Sequence, residues 1–437
     1  MLGYTYLLAA CLLGATLIGV RALDNGVARL PVMGYTSYEY RCNVTQDLVR
    51  MNAEQVVSLG LKDLGYNYIN LDACYAESNR SATGQIVAGE HPSRFAFGMP
   101  VLTAEIHGLG LKAGMYGSSG WFSCGGDEPG SFQNEVNDVR HWQLDWGFDF
   151  VKIVDCGVPF DDIIREGILG KYQRMADAIA QVAQESGRDP LVLSVSSGGD
   201  QFPYLWASRL GHSWRIGKNV DPSWSSIADA INTNSFISWA SDYYGHNDMD
   251  YLQIGQGGLT FEEEKTHFTA WAFLKSPLII NTDLSKISKQ DLSILMNDEI
   301  IAVNQDPVVG KAVTPFRWGS DPNYWTSDPA RPAQYWSGET QNGTVFMLIN
   351  TFDAPATMFF NLTESPYIRA GRQYSVRDLW AHADVGVAVH NWTVPAVPSH
   401  GVVALLLQDA GDEPNGEGPP CARQANQCVS ESGTPAA

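Results

Sequence analysis

Basic charge is scarce in this chain. Lys and Arg total 28 against 48 Asp and Glu, a formal net charge of −20, and charged residues make up only 17%. A nucleic acid or an anionic membrane surface calls for a basic face, so this balance argues against both as partners. Long apolar runs are scarce too: beyond the N-terminus none reaches the ~18 residues of a membrane span. No two cysteines stand in C-x-x-C spacing, which argues against a zinc site. A long internal repeat is also missing. What the chain does have is 44% hydrophobic and 11% aromatic residues, enough for a large core and too much for a disordered polymer.

The one apolar run, Tyr4 to Val20 closed by Arg21, lies where a signal peptide belongs, with residues 1–22 removed on export. Its first residues carry no positive side chain, so an uncleaved anchor is the alternative. Cys11 leaves with that segment, and Cys42, Cys74, Cys124, Cys156, Cys421 and Cys428 remain. An even count in an exported chain points to disulfides. Sequons stand at Asn43, Asn79, Asn342, Asn361 and Asn391. The expectation is a secreted, extracellular glycoprotein, free of the membrane once the signal is gone.

Residues 30–315 alternate strand and helix patterns. Tyr66–Asp72, Leu111–Tyr116, Phe148–Val154, Leu191–Val195, Ser213–Ile216, Ile237–Ala240 and Pro277–Asn281 read as strands. Gln46–Leu64, Val101–Leu109 and Lys171–Glu185 read as helices. Roughly eight βα units suit a closed (β/α)8 TIM barrel, with an open doubly wound sheet as the alternative. Residues 316–408 lose the helical period. Runs such as Thr344–Asn350, Thr357–Asn361, Tyr374–Leu379 and Gly401–Leu407 predict an antiparallel β-sandwich. Residues 409–437 are rich in Gly, Pro, Glu and Ser and read as a poorly ordered tail. A Cys421–Cys428 pair would staple part of it; two unpaired thiols are the alternative.

Chemistry in a barrel sits at the C-terminal ends of the strands. Here those ends carry Asp72, Lys152 with Asp155, Arg215, and Asp248 with Asp250. Such charges beside abundant Trp and Tyr suit a carbohydrate, whose C–H face meets rings and whose hydroxyls meet charges. Ordinary strand-end caps and core aromatics are the alternative.

Met33-Gly-Tyr-Thr-Ser-Tyr38, Leu71-Asp-Ala-Cys-Tyr75, Phe150-Val-Lys-Ile-Val-Asp-Cys156, Gly211-His-Ser-Trp-Arg215, Pro222-Ser-Trp224, Asn247-Asp-Met-Asp250 and Lys275-Ser-Pro-Leu-Ile-Ile280 resemble glycoside hydrolase family 27, the α-galactosidases or melibiases. The resemblance runs in order from about Leu30 to Gln408. It implies a (β/α)8 barrel with a C-terminal antiparallel β-sandwich. It also implies Cys42–Cys74 and Cys124–Cys156 disulfides, and retaining hydrolysis of terminal α-galactosides without metal or cofactor. Its implied substrate-binding positions are Tyr38, Asp72, Ala73, Lys152, Arg215 and Asp250.

Retaining hydrolysis needs a carboxylate nucleophile and a carboxylic acid ~5–5.5 Å apart. The resemblance assigns the nucleophile to the residue two after Lys152, which is Val154, and the acid to the residue four after Arg215, which is Asn219. An alkyl group cannot attack, and an amide has no acidic proton to give. Asp155 is one residue out of register, and alternation turns it to the other face of the strand. The second aspartate of the sugar clamp is Ala73. Two readings follow. The first is a secreted α-galactosidase-like protein whose standard hydrolysis is lost or severely impaired, with a carbohydrate pocket retained or remodelled. The second is an active glycosidase using displaced carboxylates, Asp155 with Asp221 or Asp200.

Overall fold

The structure, a computed structural model, describes residues 23–89, 94–319 and 328–415. The expected signal peptide and the Cys421–Cys428 pair lie outside them.

Eight parallel strands form one sheet: β1 (Met33–Thr36), β2 (Tyr68–Asn70), β3 (Lys112–Ser118), β4 (Phe150–Val154), β5 (Val192–Ser196), β6 (Ser213–Arg215), β7 (His246–Asp248) and β8 (Leu278–Ile280). Each pairs with the next from β1 to β7, and β8 pairs back onto β1. Leu252, just past β7, makes a parallel bridge to Ile280, which closes the ring. The helices are α1 (Gln46–Ser58), α2 (Met99–Gly108), α3 (Glu135–Arg140), α4 (Phe160–Ser186), α5 (Trp224–Ser235), α6 (Phe261–Phe273), α7 (Lys289–Leu295) and α8 (Asp298–Asn304). Their starts follow capping chemistry. Thr45 accepts the Leu48 amide, Ser223 the Ser226 amide, and Thr260 forms a capping box with Glu263. Between β5 and β6 two short 3-10 turns, Pro203–Leu205 and Ala207–Arg209, stand where an α-helix would be.

The period of two along each strand sorts the barrel side chains. Val151 and Ile153 face outward into the core between sheet and helices, as do Ile69, Leu71, Leu193 and Trp214. Val32, Tyr68, Phe150, Val192, Tyr251 and Ile279 face inward and fill the barrel axis. Above them, on the same inward rows, come the polar strand ends. Only glycine fits at position 120. A Cβ there would stand 2.1 Å from the Cys156 carbonyl oxygen, so the β3 and β4 loops touch backbone to backbone beside the Cys124–Cys156 disulfide.

The second domain is a six-stranded antiparallel sheet in the order β14-β13-β16-β11-β10-β9, faced by the two-stranded sheet β12-β15. Its strands are β9 (Thr314–Arg317), β10 (Tyr335–Thr340), β11 (Gly343–Ile349), β12 (Ala356–Asn361), β13 (Arg372–Asp378), β14 (Ala383–Ala388), β15 (Asn391–Val397) and β16 (Val402–Asp412). The unbroken apolar run of β11 is explained by burial on both faces. Phe346 and Leu348 enter the core between the two sheets, while Val345, Met347 and Ile349 join the core shared with the barrel.

Two expectations need correction. Ile237–Ala240 is not a strand: Ser238–Ala240 forms a 3-10 turn, and the seventh strand is His246–Asp248. The Asn247 side-chain amide takes the Ile237 carbonyl at 2.9 Å, so that segment is held by a side chain rather than a ladder. The true strand is polar yet buried, which hides it from hydropathy. The sandwich also continues beyond residue 408, since β16 pairs with Arg372 of β13 as far as Asp412.

Candidate functional site at the barrel mouth

Inward strand ends converge on a buried polar network. Lys152 Nζ donates to Tyr251 Oη at 2.7 Å, and Tyr251 Oη donates to Asp72 Oδ2 at 2.7 Å. The Lys152 ammonium also lies 4.3 Å from the centroid of the Tyr251 ring. Asp72 Oδ1 accepts the Ala73 amide at 2.9 Å, and the Asp72 amide donates to Ser37 Oγ at 3.0 Å.

Alongside, Arg215 pairs with Asp250 at 2.8 Å, both side chains nearly inaccessible. The guanidinium also donates to the carbonyls of Gly217 and Lys218. Asp250 accepts the Val220 amide at 2.7 Å, and its own amide donates to Asp248. Asp250 adopts φ of 82°, a left-handed conformation unusual for a side-chain-bearing residue, so its aim is enforced by these partners. Burial pushes the Asp248 carboxyl above its usual range, against the pull of Arg215. Burial and the nearby Asp72 push the Tyr251 phenol well up, so it stays a neutral donor.

The residues matched to the catalytic pair are placed as follows. Val154 ends β4 with its side chain buried. Asn219 donates from its amide to Tyr38 Oη at 3.0 Å and accepts from Arg215 at 3.4 Å. The Tyr38 ring lies 5.5 Å from that of Tyr251, with Arg41 stacked on it. Asp155 does not join the network: it pairs with Lys171 of α4 at 2.8 Å. Asp200 and Asp221 are exposed. Ala73 contributes no polar side chain.

Cys42 and Cys74 are bonded with Cα atoms 5.0 Å apart, as are Cys124 and Cys156. Two residues escaped the sequence reading. Glu128 accepts the amides of Cys74 and Ala76 at 3.0 and 2.6 Å, fixing the β2 loop from the β3 loop. Tyr251 is the other. Its only signal was an aromatic directly after Asp248-Met-Asp250. Away from the mouth, Asp298, Glu299 and His382 also meet, but Glu299 already carries a two-pronged pair with Arg377.

The barrel with its polar mouth and appended sandwich defines a glycoside-hydrolase type of scaffold. The Alpha galactosidase A family model matches residues 32–306, and the Alpha galactosidase C-terminal beta sandwich domain matches 330–407. The chain belongs to the α-galactosidase (melibiase) family, glycoside hydrolase family 27. It is 34% identical over 429 residues to a probable alpha-galactosidase B of Talaromyces emersonii, covering 88% of this chain and 93% of that one. Among solved structures, alpha-galactosidase I from Mortierella vinacea is 32% identical with a TM-score of 0.80, covering 90% of this chain and 100% of that one. An α-galactosidase from Saccharomyces cerevisiae, solved with raffinose, is 26% identical with a TM-score of 0.76, covering 88% and 99%.

Proposed function

We propose that this chain is an exported α-galactosidase-family protein that has lost retaining hydrolysis of terminal α-galactosides, its carbohydrate pocket remodelled. One observation carries the reading. Where a nucleophile and an acid would face each other, the chain has Val154 and Asn219, and nearby carboxylates are already committed. Asp72 is held by Tyr251 and Ala73, Asp250 by Arg215 and Val220, and Asp155 by Lys171. A carboxylate that serves as nucleophile must reach the anomeric carbon, and one that serves as acid must carry a proton at working pH. The exposed positions of Asp200 and Asp221, and the outward turn of Asp155, disfavour the displaced-carboxylate reading.

Export is supported by the N-terminal apolar run, the two disulfides and exposed sequons at Asn43, Asn79, Asn342 and Asn391. Asn361 is a weaker acceptor, because its side chain caps the turn Leu362–Glu364. The ligand class is an α-galactoside or a related glycan, met at the outer rim of the mouth, with no metal or cofactor. Purified protein assayed on aryl α-galactoside and aryl β-arabinopyranoside tests the reading. No turnover above the uncatalysed rate is expected. Turnover that disappears in Asp155→Asn with the fold intact would overturn it.

A further inference from the structure

We propose that Tyr251 is a built-in occupant of the barrel-end pocket, its phenol standing where a bound sugar would place a ring and a hydroxyl. The inference rests on reading this mouth as the sugar site. It goes further in saying that the wild-type pocket is already filled, whatever its catalytic state.

Three observations support it. Lys152 offers a charged donor and Asp72 a charged acceptor from neighbouring strand ends, and one hydroxyl satisfies both at 2.7 Å. A hydroxyl that accepts from a cation while donating to a carboxylate is what a sugar alcohol supplies, and charge-assisted bonds of this kind are the strong ones. Tyr251 is fully part of the inner barrel core with Phe150 and Ile279, so the ring is packed rather than dangling. On the inner side of the ring, among Val32, Asn70, Phe150, Lys152 and Ile279, the room left along the barrel axis is about 20 Å³. That holds about one water molecule, whereas small-molecule sites run to roughly 300–1,000 Å³. Over the plug, Asn219 and Tyr38 are hydrogen-bonded to each other. The Tyr251 ring therefore has no room to sink along the axis, and a terminal hexopyranose reaching for Lys152 and Asp72 meets it.

The test is equilibrium binding of free D-galactose, read by calorimetry and by the rise in Tm on adding the sugar. Wild type, Tyr251→Phe, Tyr251→Ala and Tyr251→Met are compared. Wild type and Tyr251→Phe keep the ring and are expected to show no saturable binding. Tyr251→Ala vacates the space and leaves Lys152 and Asp72 free, and an affinity gain of about tenfold or more is expected. Should the alanine variant fail to fold, Tyr251→Met fills part of the gap with a flexible chain and gives the same comparison. Galactose binding by the wild type as tight as by the opened variants would overturn the plug. So would a folded Tyr251→Ala and a folded Tyr251→Met that both ignore galactose. Hydrolysis is scored separately. An opened variant that binds galactose and cleaves aryl α-galactoside would sink the non-hydrolytic reading and leave the plug standing. Wild-type cleavage abolished by Tyr251→Phe would make the phenol a reacting group and sink both.

Discussion

The barrel mouth and the sandwich core each bury an arginine against a carboxylate. Arg215 meets Asp250 at 2.8 Å in the mouth, and Arg317 meets Glu364 at 2.9 Å in the sandwich. In the sandwich the pair is structural: Arg317 also holds the Phe359 carbonyl and lies under the Tyr335 ring. A working mouth would keep some polar groups for its substrate. Here they are satisfied from within, Lys152 and Asp72 by Tyr251 and Asn219 by Tyr38. The comparison teaches that polar side chains at strand ends do not by themselves make an open site. Much of the mouth's charge is bridged by the chain itself, while Arg215 Nε and Asn70 Oδ1 keep no partner among the described residues.

Acid should separate the domains most strongly. His212, His246 and His267 all belong to the barrel, and burial lowers their pKa values to about 4, 3 and 3. Depressed imidazoles stabilise the fold above the ordinary histidine pKa and lose that contribution as pH falls toward the folded values. Each contributes a slope of about 1.4 kcal/mol per pH unit in that window. Glu264, raised to about 7, works the other way, as do the raised carboxyls of Glu39, Glu128, Glu135, Asp138 and Asp248. Calorimetry between pH 6.5 and 4 should therefore show barrel stability falling less, or rising more, with acid in His267→Gln than in the wild type, by up to about 1.4 kcal/mol per pH unit. An unchanged profile in that variant would refute the assignment.

Breaking the two buried pairs should cost similar amounts. Arg215→Met leaves Asp250 buried and unpaired, and Arg317→Met does the same to Glu364. Each should destabilise by ~3–5 kcal/mol in urea unfolding. A much smaller loss for Arg215 would show that water already reaches the mouth, contrary to an interior-like environment. Tyr251→Phe removes the bridge between Lys152 and Asp72 and keeps the ring, for an expected loss of ~1–3 kcal/mol. Asp155→Asn should matter least. It replaces the charged partner of Lys171, which lies mid-way along α4 with its side chain 8% exposed, by a neutral acceptor, for an expected loss of about 1–2 kcal/mol. A larger effect on unfolding would mean that Asp155 anchors more of the β4 loop than that single bond.

Much of this architecture was legible in order along the chain. The βα alternation and the later change to turn-separated strands marked the two domains, and matched motifs named the family. The positions proposed for the catalytic pair, Val154 and Asn219, come from the intact spacing after Lys152 and Arg215, since spacing fixes register and register decides which face a side chain takes. The seventh strand was misplaced because its three residues, His246, Asn247 and Asp248, are polar and buried. Hydropathy reports what a side chain prefers, not the partners that let it be buried. Asn247 is buried because Trp214 and Ile237 supply its bonds.

By itself the sequence determined the chemistry available at the strand ends: an alkyl group at Val154 and an amide at Asn219, the positions proposed for the catalytic pair, beside Lys152 and Asp72. Only the tertiary structure decided whether that mouth is open. Tyr251 lies 99 residues from Lys152 and 179 from Asp72. No local pattern links residues so far apart. They meet because the parallel ring brings the ends of β2, β4 and β7 to one axis, where a ring projecting inward must either find room or fill it.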